Sequence, residues 1–152
     1  MVCLGNICRS PIAEVVMSKK LIDADVDTVV VDSCGTGGWH VGEPMDPRAA
    51  DMLREHGYDA DAHRAQQFLP SWFDDHDLIL AMDRANLDEI ERQSRSDEDL
   101  HMIRMYRSFD PDATSSLDVP DPWYGGRADF ESVLEIVERT SDGLIEALVR
   151  DS

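Results

Sequence analysis

The octapeptide Cys3-Leu4-Gly5-Asn6-Ile7-Cys8-Arg9-Ser10, followed at once by Pro11, constrains this chain more than any other stretch. A cysteine, five residues, an arginine and a hydroxyl make a loop that binds a tetrahedral dianion and attacks it. Gly5 and Asn6 tolerate the positive φ that a tight loop needs if its N–H groups are to point inward. Pro11 suits the first helical position, where an N–H has no intrahelical partner. The loop is therefore predicted to run into a helix N-terminus, whose free N–H groups and dipole favour a phosphate and a thiolate alike. Arg9 brings a planar fork that matches two phosphate oxygens. The Ser10 hydroxyl can hydrogen-bond the thiolate.

At 152 residues, 42% of them apolar, the chain is long enough for one domain (1–152) with a real core. No apolar run reaches the roughly 18 residues of a transmembrane helix, and Met1 leads straight into the loop with no signal peptide. Three cysteines, one of them in a reactive setting, point to a reducing cytoplasm rather than a disulfide framework. Without a paired second cluster they do not make a closed zinc site, so no metal is expected. Fourteen Lys and Arg against 32 Asp and Glu leave a net charge of −18; 22 of the acids are aspartates, and Lys19 and Lys20 are the only lysines. Self-repulsion of that size destabilises a compact state in low salt, and salt at about 1 M, with a Debye length of roughly 3 Å, relieves it. The charge reads as that of a halophilic, salt-accumulating cytoplasm. It excludes nucleic acid and anionic membranes as partners.

Helical spacing runs from Ser10 to Ala24, with Ile12, Val15, Val16, Leu21 and Ile22 on one side. Thr28 to Asp32 is a short β-branched run, predicted as a buried strand. Ser33 to Pro44 is a glycine-rich loop carrying Trp39 and His40. Asp46-Pro47 starts a helix that Gly57 ends. Tyr58 to Asp77 is irregular with one short helix, and Pro70, Trp72 and Phe73 form a surface cluster. Leu78 to Met82 is a strand, Ala85 to Ser94 a helix, Arg95 to Asp99 a polar loop and His101 to Tyr106 a further strand. Ser108 to Gly126 is a long Pro- and Asp-rich loop, a length that is usually functional. A helix from Asp129 to Val149, bent near Gly143, closes the chain. Strands alternating with helices predict an α/β domain whose parallel sheet presents its functional loops at the strand C-termini.

The segment Asp121-Pro122-Trp123-Tyr124-Gly125-Gly126 supplies what the opening loop lacks, a proton donor beside aromatic walls. Together the two segments resemble those of the low-molecular-weight protein tyrosine phosphatases, with Trp123 where tyrosine is common. Asp32-Ser33-Cys34-Gly35-Thr36 and Trp39-His40-Val41-Gly42 resemble the same family's second-strand loop. The resemblance implies a four-stranded parallel sheet flanked by helices (a flavodoxin-like phosphatase fold). It implies Cys3 as nucleophile, Arg9 and the N–H groups of residues 4 to 9 as phosphate cradle, and Asp121 as acid and then base, with no metal or cofactor. Leu4, Gly5, Asn6, Ile7, Cys8, Ser10, Trp39, Trp123 and Tyr124 become the expected substrate-binding residues. Ser33 becomes the brace of Asn6. Trp39 is read equally as a core aromatic, and Cys8 either as a disulfide partner that protects Cys3 from over-oxidation or as a small buried residue. His63 matches a histidine near the family's loop network and is given no catalytic role. The family delivers its cysteine on a full hydrophobic strand. Here only Met1 and Val2 precede Cys3, so the first strand is a stump: the start is truncated or mis-assigned, or a central strand is dispensed with.

The expected substrate is a phosphotyrosine-containing protein or a small aryl phosphate, handled by a monomer or weak dimer at mildly acidic pH. An arginine phosphatase of the same fold is the alternative, but it carries threonine where Ile7 stands, and an isoleucine favours an apolar aryl group. Arsenate reductases need later redox cysteines, and nothing beyond Cys34 is a cysteine. A non-catalytic phosphate binder would have lost Cys3, Arg9 or Asp121.

Overall fold

The computed structural model describes residues 1–151. Four short parallel strands stand in the order β2-β1-β3-β4: β1 (Val2–Cys3), β2 (Cys34–Gly35), β3 (Ile79–Ala81) and β4 (Ile103–Met105). Alternate residues of a strand face opposite sides. Cys3 and Leu80 accordingly enter one core and Val2, Ile79 and Ala81 the other. The first core is closed by α1 (Arg9–Asp23), α2 (Pro47–Glu55) and α6 (Arg127–Arg150), with Ile12, Met52, Leu53, Phe130 and Leu134 fully buried. Each such side chain contributes about 1.5–3 kcal/mol relative to an exposed one. The second core takes Ile90 from α4 (Arg84–Arg92) and Phe68 and Phe73, whose rings meet edge to face at 5.4 Å. Phe73, in α3 (Trp72–Asp75), is thus core rather than surface cluster.

The stump is a strand. Val2 and Cys3 lie between β2 and β3, with Val2 opposite both Cys34 and Ala81 and Cys3 opposite Gly35, so a central strand is present with two residues. The predicted strand Thr28–Asp32 does not form. It is irregular, with a bend at Thr28, and lies outside the ladder, with Val30 91% exposed. Its β-branched residues favour a pleated neighbour, and β1 pairs two residues further on, with Cys34 and Gly35. Beyond β2 the chain returns at Gln66 to Phe68, which exchange hydrogen bonds with Gly35 at 2.8 and 2.7 Å.

Several boundaries differ for local reasons. α1 begins at Arg9, so Pro11 is its third residue, and Ile22 is 77% exposed rather than part of the apolar side. Arg95 to Asp99 is not all loop. The Ser96 hydroxyl accepts the Asp99 N–H and caps α5 (Asp97–His101), whose three leading acids suit a helix N-terminus. After β4 a 3₁₀ turn (Tyr106–Phe109) leads into the long loop. α6 starts at Arg127, with Asp129 Oδ2 accepting the Gly126 N–H at 2.8 Å. It runs unbroken past Gly143, where a Cβ would collide with the Phe109 carbonyl; the glycine admits the 3₁₀ turn against the helix. No helix among the described residues is long and apolar enough to cross a membrane.

Candidate active site

The loop leaves β1 at its C-terminal end and turns directly into α1. Asn6 adopts φ +57°, as its type allows. Gly5 does not take a positive φ; it leaves room for the His40 ring, which would lie 3.2 Å from a Cβ there. Cys3 is 3% exposed, and its Sγ accepts the Asn6 N–H at 3.3 Å. Ser10 Oγ lies 2.9 Å from the sulfur and itself accepts from Asn6 Nδ2 at 2.8 Å. A thiolate at Cys3 can only accept, so in that state the Ser10 hydrogen is directed to Sγ rather than to the more distant Cys34 carbonyl at 3.4 Å. Two donors aimed at sulfur stabilise it when it carries negative charge.

The loop is held from behind. Asn6 Nδ2 also donates to Ser33 Oγ at 2.9 Å, and Asn6 Oδ1 accepts the Gln66 N–H at 2.9 Å. His63 Nε2 donates to the Asn6 carbonyl at 2.8 Å, with Glu14 3.3 Å from its other nitrogen. Asn6 and Ser10 have no exposed surface, and their side chains brace the loop from behind.

Arg9 is 3% exposed. Its Nη1 donates to Asp83 Oδ2 at 2.6 Å and to the Val119 carbonyl at 3.2 Å, while Nη2 faces Asp121 Oδ2 at 3.6 Å. Burial opposes its charge, but the Cys3 sulfur, Asp83 and Asp121 outweigh that and raise its pKa above the ordinary arginine value. Asp83 does two jobs: Oδ2 holds Arg9, and Oδ1 caps α4 through the Asn86 N–H at 2.8 Å.

Cys3, Leu4, Gly5, Ile7, Cys8 and Arg9 form the floor and near side of a cleft, and Trp39, His40, Asp121, Trp123 and Tyr124 its far side. Trp39 is 70% exposed on this rim, so it is not a core aromatic. Burial, then the negative charge of Asp46, Cys3 and Asp121, pushes the Cys8 thiol far up, and burial pushes Cys34 up to about 12. All three cysteines are free. Asp83, His40, Arg48 and Gln66 escape a reading of the sequence. Asp83 alone had a signal, as a capping aspartate directly after a predicted strand, at the end where α/β sheets bind ligands.

The description "low molecular weight phosphotyrosine protein phosphatase" belongs to the family model that matches residues 1–152. The chain belongs to this family. Similar relatives include the low molecular weight protein-tyrosine-phosphatase of Streptomyces coelicolor, 49% identical over 149 residues, covering 97% of this chain and 90% of the relative. The low molecular weight phosphotyrosine protein phosphatase of Sus scrofa is 41% identical over 147 residues, covering 95% and 91%. The crystal structure of a protein tyrosine phosphatase from Entamoeba histolytica, with Hepes in its active site, superposes with a TM-score of 0.92 at 34% identity, covering 99% of this chain and 95% of that one. This family member thus shares the fold of the phosphatases it resembles in sequence.

Proposed function

We propose that this low molecular weight phosphatase hydrolyses phosphotyrosine in proteins, and small aryl phosphates, through a phosphocysteine. The observation that carries the reading is the convergence of Cys3 Sγ, the Arg9 fork and the Asp121 carboxylate on one cleft with aromatic walls.

In the first step the Cys3 thiolate attacks phosphorus, and an S–P bond forms as the bond to the aryl oxygen breaks. Arg9 and the loop N–H groups stabilise charge on the equatorial oxygens. Asp121 gives its proton to the departing phenolate. In the second step water attacks phosphorus while Asp121 takes a proton from it. The S–P bond breaks, and the thiolate and phosphate are released. Asp121 must begin protonated while the thiolate stays charged, so the optimum is mildly acidic.

Ile7, 8% exposed in the cleft, offers methyl groups to an aryl ring and no hydroxyl to polarise water toward a phosphoramidate. That supports phosphotyrosine over phosphoarginine. The three free, buried thiols support a reducing cytoplasm as the compartment.

The test is steady-state hydrolysis of phenyl phosphate and a phosphotyrosine peptide in high KCl with a chelator. Wild type turns both over, and Cys3→Ser, still folded by circular dichroism, loses at least about a thousandfold, in line with removal of a nucleophile that acts as a unit with its partners. A folded wild type without turnover overturns the proposal.

A further inference from the structure

We propose that Arg48, at the start of α2, is the positioning residue that fixes the Asp121 loop over the phosphate loop. The inference rests on the phosphatase reading, in which Asp121 handles the proton.

Residues 120–125 do little to hold themselves in place. The Trp123 N–H folds back on Asp121 Oδ1 at 3.1 Å, and the Gly125 N–H on the Pro122 carbonyl at 2.9 Å. Asp121 has a side chain 42% exposed, and Tyr124 is 94% exposed. Among the described residues, the hydrogen bond that ties this segment to another element runs from Arg48 Nη1 to the Trp123 carbonyl, 3.0 Å long. The Arg48 guanidinium also lies 5.3 Å from the Trp123 ring centroid and 4.9 Å from that of Phe130, buried in the first turn of α6.

The other side of the same guanidinium is clamped. Nε donates to Asp46 Oδ1 at 3.1 Å and Nη2 to Asp46 Oδ2 at 2.9 Å. The Asp46 N–H in turn donates to the carbonyl of Ile7, inside the phosphate loop, at 2.9 Å. One run of contacts therefore joins the nucleophile's loop to the acid's loop without touching the reacting atoms: Ile7, Asp46, Arg48, Trp123. Arg9 does not replace it. Its Nη1 is committed to Asp83 and Val119, and its Nη2 stands beyond hydrogen-bond reach of Asp121 at 3.6 Å.

A general acid works only within hydrogen-bond reach of the leaving oxygen, and a displacement of about 1 Å can cost on the order of a hundredfold. The planar fork of arginine suits this post, because two nitrogens grip Asp46 while the third reaches Trp123. A lysine ammonium keeps the charge but not the fork.

A leaving-group series separates positioning from mere structural support. A dinitrophenolate departs without a proton; a phenolate needs one. The measurement is kcat/KM for dinitrophenyl, nitrophenyl and phenyl phosphate with wild type, Arg48→Ala and Arg48→Lys, each checked by thermal melting. Both variants lose about 10–30-fold on phenyl phosphate and no more than about threefold on dinitrophenyl phosphate, a partial loss of general-acid catalysis. Their alkaline fall in kcat/KM on phenyl phosphate flattens. An equal loss on all three esters, or full recovery by lysine, overturns the inference. Asp46→Asn covers the case of an alanine variant that does not fold. Asparagine keeps the α2 cap and loosens the clamp, so the dependence on leaving group steepens again, and an unchanged slope overturns the inference. A wild type that hydrolyses none of the esters removes the phosphatase reading and this inference with it.

Discussion

The Asn6 side chain serves three partners and that of Asp83 two, and that economy defines the site. The Asn6 amide reaches Ser10 and Ser33 with one nitrogen while its oxygen takes the Gln66 N–H, so a residue chosen for its backbone φ also sets the orientation of Ser10 toward sulfur. Asp83 holds Arg9 with one carboxylate oxygen and caps α4 with the other. Asp83→Asn separates these jobs, since asparagine caps a helix as well as aspartate does. Loss of a charge-assisted contact of this kind is worth roughly 1.5–3 kcal/mol, so kcat on phenyl phosphate should fall about tenfold. Inorganic phosphate, measured as a competitive inhibitor, should bind at least as tightly because a negative charge has left the site. Weaker phosphate binding with unchanged kcat would mean that Asp83 serves affinity and not geometry.

The long connection between β4 and α6 is pinned to the helix by a buried ion pair beside the Tyr106 contacts with Val137 and Ser141. Asp110, its side chain fully buried, accepts Arg139 Nε at 2.6 Å, Arg139 Nη2 at 3.0 Å and Arg107 Nε at 2.9 Å. The Arg139 hydrogen bonds, opposed by burial and helped by Arg107, hold its carboxyl well below the usual carboxylate range. A depressed folded pKa gives stability that is present above the unfolded value, about 3.9, and is lost as pH falls through the folded one. Asp110→Asn should therefore cost about 2–3 kcal/mol in urea unfolding at pH 7. The gap to wild type should close as pH drops below about 4. A gap independent of pH would assign the cost to packing. The neighbouring contact of Gly143 with the 3₁₀ turn belongs to the same joint, which carries the chain toward the Asp121 loop.

Across the whole molecule the excess of acids over bases is 18, from 32 against 14. Pairs such as Arg54 with Asp61 and Arg95 with Asp74 use up bases, and the remaining carboxylates face water and one another. Exposed pairs of this kind contribute little, so the net repulsion dominates at low salt. Raising KCl from about 0.1 to 1 M shortens the Debye length from about 10 to 3 Å. The urea midpoint should rise over that range, and a flat or falling midpoint would contradict the reading of the charge as an adaptation to salt.

Features that neighbouring residues settle among themselves could be read along the chain. The run of the Cys3–Ser10 loop into α1, the Asp46-Pro47 start of α2, the amphipathic stripes of α1 and α6 and the Asp121-Pro122 turn all depend on contacts a few residues apart, and each was legible. The strand expected over 28–32 does not form, because β-branched residues become a strand only beside a partner, and β1 meets the chain at Cys34. The long-range partners were not legible. A capping position marks Asp83 locally but not its reach to Arg9, and nothing local distinguishes Arg48 among the arginines. Their roles arise when the sheet order brings β3 beside β1 and when α2 packs on α6, closing chain loops of dozens of residues so that Arg9 meets Asp83 and Arg48 meets Trp123. Only the tertiary structure could decide them, because their energy comes from buried charge and shared hydrogen bonds between residues the chain keeps far apart.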